Sequence, residues 1–248
     1  MNPTIQIDQL TKIYRRRHLG RLSQTVGVVD LDLEIYPGEI FGLLGLNGAG
    51  KTTTLKLILG LIFPTTGKIQ ILGNSLPNDA VKSKLGYLPE LPYFYRNLTP
   101  NEILKLYCVL SGVQSNIQEK QKRIDAVLEM VNLKAQQYRR MGEFSKGMLQ
   151  RVGIAQSLIH DPEILIYDEP VAGLDPVGIR EMRQLMLDLK TRGKTILFSS
   201  HLISEVERVS DRVGIIAAGK LIKIIRQDEW SVAGGLLEEM FITAVSAG

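Results

Sequence analysis

The chain has 248 residues, 30 Lys and Arg against 26 Asp and Glu, and a formal net charge of +4. Apolar residues make up 44% and charged residues 23%, ordinary globular usage that excludes wholesale disorder, collagen and a small disulfide scaffold. The single cysteine, Cys108, excludes an intramolecular disulfide, and a reducing compartment is the expectation.

In chain order, residues 4–8 and 28–35 alternate apolar and polar in places, the pattern of half-buried strands. The start, MNPTIQIDQL, lacks the basic opening and apolar core of a secretion signal. No apolar stretch reaches the roughly 20 residues of a spanning helix, so a cytoplasmic location is expected. Between the two strand segments lies a basic run: Lys12, Arg15, Arg16, Arg17, His18 and Arg21. It reads as a solvated loop or as a contact with acidic lipid or phosphate. The overall charge is too weak to imply a nucleic-acid partner.

Segments 39–44, 164–167, 195–199 and 213–217 are short apolar runs that suit strands buried on both faces. From about 95 to 160 the pattern turns helical. Thr99-Pro100-Asn101-Glu102 reads as a capping box, with Leu98 and Ile103 placed for a hydrophobic staple. A second amphipathic helix spans 117–133, with Ile124, Val127, Leu128 and Val131 on one face. Asp175-Pro176 starts a further helix with Ile179, Met182, Met186 and Leu189 inward and Gly193 as its stop. The alternation of strands and helices argues an α/β fold with a helical block inserted.

Gly45-Leu46-Asn47-Gly48-Ala49-Gly50-Lys51-Thr52 fits G-x-x-x-x-G-K-[ST], after an apolar strand and before a helix over 53–59. A triphosphate concentrates several negative charges in a small volume. Glycines let backbone N–H groups converge on it, and the helix N-terminus adds its dipole. Lys51 is expected to reach the β- and γ-phosphates and Thr52 to ligate Mg²⁺. Segment 164–169 ends in Asp168 and Glu169, at the carboxyl end of a strand, where open α/β sheets bind ligands. Successive strand residues face opposite ways, so Asp168 is expected to hold Mg²⁺ and Glu169 to polarise an attacking water.

Several ordered motifs together resemble the ATP-binding subunit of an ABC transporter, over roughly residues 4 to 220. Phe144-Ser145-Lys146-Gly147-Met148 stands where that family carries its LSGGQ signature, and Gln150-Arg151 follows. Gly173-Leu174-Asp175 matches its D-loop, Ser199-Ser200-His201 its switch histidine, Leu88-Pro89-Glu90 its Q-loop, and Tyr14 its adenine-stacking aromatic. The resemblance implies a P-loop NTPase core with a mixed, mainly parallel sheet, an N-terminal antiparallel β subdomain and an inserted α-helical subdomain. It implies one domain over 1–248: a core of 1–89 and 160–220, a helical part over 90–159 and a short C-terminal extension over 221–248.

It further implies ATP and Mg²⁺ as ligands. Gly45 through Thr53, Tyr14 and Asp168 would hold them, with Glu90 as a further metal ligand and His201 on the γ-phosphate. Ser145, Lys146, Gly147 and Asp175 would serve a partner chain's ATP in a head-to-tail homodimer, or in a pair with a different ATPase. A separate transmembrane permease would bind the pair at the inner face of the cell membrane, with no nucleic acid involved. Tyr93, Phe94 and Tyr95 are candidate permease contacts, or else fill the helical block's own core. The chain departs from the family where Glu90 replaces a glutamine and where Lys146 and Met148 stand in the signature. The wording GYLPE, FSKGM and GLDP, with the tail 236–241, resembles the subgroup serving small export permeases. Two rivals are a soluble ABC ATPase acting on nucleic acid or ribosomes, and a P-loop kinase or switch. The kinase reading leaves the signature, D-loop and switch histidine unexplained.

Overall fold

The computed structural model describes residues 2–18, 21–113, 115–231 and 236–246. Two compact units divide the chain, one of residues 1–82 with 195–248 and one of residues 83–194.

The first unit opens with β1 (Ile5–His18) and β2 (Arg21–Ile35), paired antiparallel. Along β2, Leu31, Leu33 and Ile35 are buried while Asp30, Asp32 and Glu34 are exposed, the period-two pattern of a strand with one covered face. Both strands run past the ends expected at residues 8 and 28. Pairing continues from Lys12 opposite Val28 to Arg17 opposite Leu22. Backbone hydrogen bonds between the strands run through this outer part, and hydropathy carries no signal for them. The basic run expected as a loop therefore lies largely on strands. The side chains of Arg16, Arg17, His18 and Arg21 fall outside the described residues. Lys12 donates through Nζ to the Phe63 carbonyl at 2.7 Å. Next come β3 (Ile40–Leu44), buried throughout, and α1 (Lys51–Ile58). β4 (Thr66–Ile71) pairs antiparallel with β1, β5 (Asn74–Ser75) pairs with β4, and α2 (Asp79–Lys82) closes this stretch.

The second unit holds β6 (Leu85–Leu88), α3 (Pro100–Leu110), α4 (Ile117–Met130), α5 (Lys146–Leu158), β7 (Ile164–Asp168) and α6 (Pro176–Thr191). β6 and β7 are parallel, with Leu85 opposite Ile164 and Leu88 opposite Tyr167. The expected capping box forms: Thr99 Oγ1 accepts the Glu102 N–H at 3.3 Å, and Glu102 Oε2 accepts the Thr99 N–H at 2.8 Å. A second box, Asn116 with Glu119, starts α4 and was not anticipated. The α4 face is the expected one, with Ile124, Val127, Leu128 and Val131 buried. Asp175 caps α6, Met182, Met186 and Leu189 are buried, and Gly193 follows at φ +80° in the left-handed region. A Cβ on Gly86 would run into the Ser157 carbonyl and lie 2.8 Å from Leu165, so α5 lies close against β6.

The chain then returns to the first unit through β8 (Thr195–Ser200), α7 (Ile203–Val209), β9 (Arg212–Ala217), β10 (Lys220–Arg226), α8 (Gln227–Ser231) and α9 (Leu236–Ser246). β3 pairs parallel with β8 on one side and β9 on the other, and β10 returns antiparallel along β9, which makes this sheet mixed. Trp230, Leu237 and Phe241 are buried, so the final segments are part of this unit's packing. Among the described residues no helix is long and apolar enough to cross a membrane.

Candidate functional site

In the first unit β3 delivers the chain to the glycine-rich loop 45–52. The Gly45 amide donates to the Ser200 carbonyl at 3.2 Å, so the loop leaves the sheet at the carboxyl ends of β3 and β8. Leu46, Asn47 and Gly48 face outward, while Ala49 and Lys51 are buried. Gly48 and Gly50 take left-handed backbone, at φ +82° and +111°. A Cβ on Gly50 would lie 2.6 Å from the Gly27 carbonyl, and one on Gly45 would lie 2.5 Å from the Ile216 carbonyl. The Lys51 ammonium donates to the carbonyls of Gly45 at 2.7 Å and Leu46 at 3.3 Å, which curls the loop around a cation.

α1 begins at Lys51, with Thr52 and Thr53 half-buried in its first turn. Tyr14 lies beside it, its hydroxyl 3.3 Å from Thr53 Oγ1. A Cβ on Gly27 would sit 2.9 Å from both the Tyr14 ring and the Thr53 methyl, so Gly27 lets them meet. Nothing in the sequence reading singled out Gly27. His201 follows β8 and is exposed, and the Leu202 amide donates to Ser200 Oγ at 3.0 Å. Backbone amides, a cation and a helix N-terminus at a glycine-rich loop suit a phosphate group. Thr52 offers a hydroxyl, a hard oxygen donor of the kind Mg²⁺ takes.

In the second unit Asp168 ends β7 and is 2% exposed, and Glu169 is 6% exposed. Glu169 holds φ +48°, a left-handed conformation that costs a non-glycine residue about 1–3 kcal/mol. The turn after it is tied by Ala172 N–H to the Glu169 carbonyl at 3.0 Å and Leu174 N–H to the Val171 carbonyl at 3.2 Å. Across β6, the Tyr87 phenol is pushed up to about 12, first by burial and then by the Asp168 charge. Gln150, to which the sequence reading gave no role, donates from α5 to the Pro170 carbonyl at 3.2 Å.

Ser145 is the N-cap of α5, its Oγ accepting the Met148 N–H at 3.3 Å. Asp175 Oδ1 accepts the Gly178 N–H at 2.7 Å. The Lys146 side chain lies across Gly173. Ser145, Lys146, Gly147, Arg151, Gly173 and Asp175 line one open cleft of about 450 Å³. The predicted signature and D-loop residues are thus brought together. Glu90, two residues past β6, is exposed. Of the three aromatics after it, Phe94 is 7% exposed and fills the interior, the second of the two roles expected for this stretch. Tyr93 is 88% exposed and Tyr95 is also exposed. A groove of about 400 Å³ runs between Tyr93, Tyr107 and His160.

The sequence profile of the family described as ABC transporter matches residues 28–172. An ABC transporter ATP-binding protein from Nostoc sp. is 46% identical over 220 residues, 88% of this chain and 65% of that protein. One from Synechocystis sp. is 44% identical over 217 residues, 86% of this chain and 60% of that protein. A bacitracin transport ATP-binding protein from Bacillus licheniformis is 43% identical over 231 residues, 92% and 71% of the two chains. The chain therefore spans less than two thirds of the first two relatives. Among solved structures, an ATP-binding subunit of an ABC transporter superposes with a TM-score of 0.81 at 30% identity, over 97% of this chain and 99% of that one. A dimeric ATP-binding cassette bound to ADP and Pi shares the fold, with a TM-score of 0.82 at 24% identity over 90% and 98%. The α/β fold expected from the motifs is the fold of these structures.

Proposed function

The chain belongs to the ABC transporter family of ATP-binding proteins, and on that premise we propose that it is the ATP-hydrolysing motor of a transporter whose membrane permease is a separate polypeptide. The observation that carries this is the loop 45–52, where Gly45 and Gly50, neither with room for a Cβ, flank a buried lysine that draws the loop's carbonyls inward.

Backbone amides of Gly45, Leu46, Asn47, Gly48, Ala49 and Gly50, with Lys51, Thr52 and Thr53, bind the phosphates of ATP. Tyr14 stacks on the adenine. Thr52, Asp168 and Glu90 are the residues that would hold Mg²⁺, and the ion would supply positive charge against the phosphates. Glu169 takes the proton of the attacking water, and His201 orients the γ-phosphate. Ser145, Lys146, Gly147 and Asp175 act on the nucleotide of a second ATPase subunit, so the working unit is a head-to-tail dimer around two ATP. The gathering of these four around one cleft supports a shared role, as does the dimeric cassette with ADP and Pi.

The Bacillus relative named for bacitracin transport supports a transport role. Export is the direction we propose, from the subgroup wording of GYLPE, FSKGM and GLDP. The protein then works peripherally at the inner face of the cell membrane. Affinity purification from native cells in mild detergent, with and without nuclease, tests this. A polytopic membrane protein recovered in both samples is the expected result. Recovery only with ribosomes, or with nuclease-sensitive partners, would overturn the transporter reading in favour of a soluble ABC ATPase.

A further inference from the structure

Gln150 is 1% exposed, among the most buried polar side chains of the second unit. It sits in the second turn of α5, the helix that Ser145 caps. Its Nε2 donates to the Pro170 carbonyl, while its buried Oε1 has no hydrogen-bond partner. Its surroundings include the apolar side chains Val131, Ile154, Leu174 and Met182 around a cavity of about 30 Å³. An apolar residue of the same size would fill such a place without leaving a buried amide half satisfied. The side-chain bond that holds Gln150 goes to one specific peptide, the one that begins at the Pro170 carbonyl, one residue past Glu169.

That peptide is where support matters. Glu169 is held at φ +48°, and Pro170 has no N–H with which to tie the turn. The turn's own bonds, Ala172 to Glu169 and Leu174 to Val171, lie within the loop and do not anchor it to a rigid element. Gln150 does, because it projects from a regular helix. A strained conformation persists only where its surroundings over-determine it.

We propose that Gln150 is a positioning residue, which clamps the Pro170 carbonyl and thereby keeps the Glu169 carboxylate aimed, so that a shift of the α5 N-terminus is felt at Glu169. This rests on the ATPase reading above. Gln150 itself touches no reacting atom. It acts through the backbone of its neighbour's turn, and it links the 145–147 segment to the carboxylate along one helix.

The test uses the full chain and Gln150→Met, which keeps the volume and shape of the side chain but removes the donor. The kcat for ATP hydrolysis is expected to fall by about ten- to a hundredfold, the scale of a misplaced catalytic group. KM for ATP and the affinity for a fluorescent ATP analogue should stay within about twofold, because ground-state binding is untouched. The Ala172 amide should also exchange with solvent at least about tenfold faster, since its bond to Glu169 reports the turn. Unchanged kcat, or a loss of kcat matched by a loss of affinity, would overturn the proposal. If Gln150→Met does not fold, Gln150→Leu, which also lacks a donor, takes its place. A parent chain that hydrolyses no ATP would sink the ATPase reading alone. Amide exchange then still decides the clamp: unchanged protection at Ala172 in the variant rules it out.

Discussion

The Gly45 amide donates to the Ser200 carbonyl at 3.2 Å, and this one bond sets two predicted phosphate-contacting segments side by side. The loop begins at the donor and His201 follows the acceptor. The register of β3 on β8, Leu44 opposite Ser200, produces the bond, so the strand pairing aligns residues far apart in sequence.

Lys51 and Glu169 are assigned different steps, and their variants should separate. Lys51→Ala is expected to weaken ATP binding about ten- to a hundredfold, the loss of charge-assisted hydrogen bonds. Glu169→Gln should keep ATP affinity and lower turnover by about 10²–10⁴-fold, the usual worth of a general base. Isothermal titration with ATP and a phosphate-release assay measure the two. Turnover at the parent rate in Glu169→Gln would remove its assignment.

Two loop glycines should respond unequally to alanine. Gly48 has nothing near a built Cβ and only its φ of +82° to resist the change, a cost of about 1 kcal/mol. For a chain of this size that is a Tm loss of about 2–4 °C. Gly50 adds a clash with the Gly27 carbonyl at 2.6 Å, so its loss should be clearly larger. Scanning calorimetry compares them, and equal losses would show that the loop moves aside freely.

Tyr93 and Tyr95 project into solvent next to Phe94, which does not. Exposed aromatics of this kind anchor interfaces. The pair Tyr93→Ala, Tyr95→Ala should reduce permease co-purification at least about tenfold and leave basal ATPase unchanged. Phe94→Ala should instead lower stability by about 3–5 kcal/mol, as removal of a core aromatic does. Undiminished permease recovery with the double variant would exclude this surface as the contact.

His160 makes the fold acid-sensitive. Burial is the main cause that holds its imidazole below the ordinary value of 6.5, with Arg123 and Lys194 adding to it. The Leu85 carbonyl, bonded to Nε2 at 3.0 Å, and Asp161 oppose it. The unfolded chain therefore binds this proton more readily than the folded one. The stability it contributes is complete above pH 6.5 and falls as the pH drops below it. Thermal melts of the parent and of His160→Gln across that range should converge in acid, and parallel curves would rule this out.

Much of the local structure around the candidate site was legible from sequence, because it depends on local geometry. The loop 45–52, the acids 168 and 169, the capping box at Thr99 and the start of α6 at Asp175 each rest on residues a few positions apart, and short-range backbone preferences set such features. Tertiary structure decided what depends on distant neighbours. The outer half of the β1–β2 hairpin is carried by cross-strand hydrogen bonds, to which composition is blind. Phe94 is buried while Tyr93 and Tyr95 on either side of it are exposed, a division that three aromatics in a row do not reveal by their type. Gly27 owes its importance to Tyr14 and to Thr53 of α1. Gln150 reads in sequence as one more polar helix residue, and only its burial and its bond to Pro170 give it a place beside Glu169. Pattern along the chain specified which groups are present, and the packing of remote segments specified which of them meet.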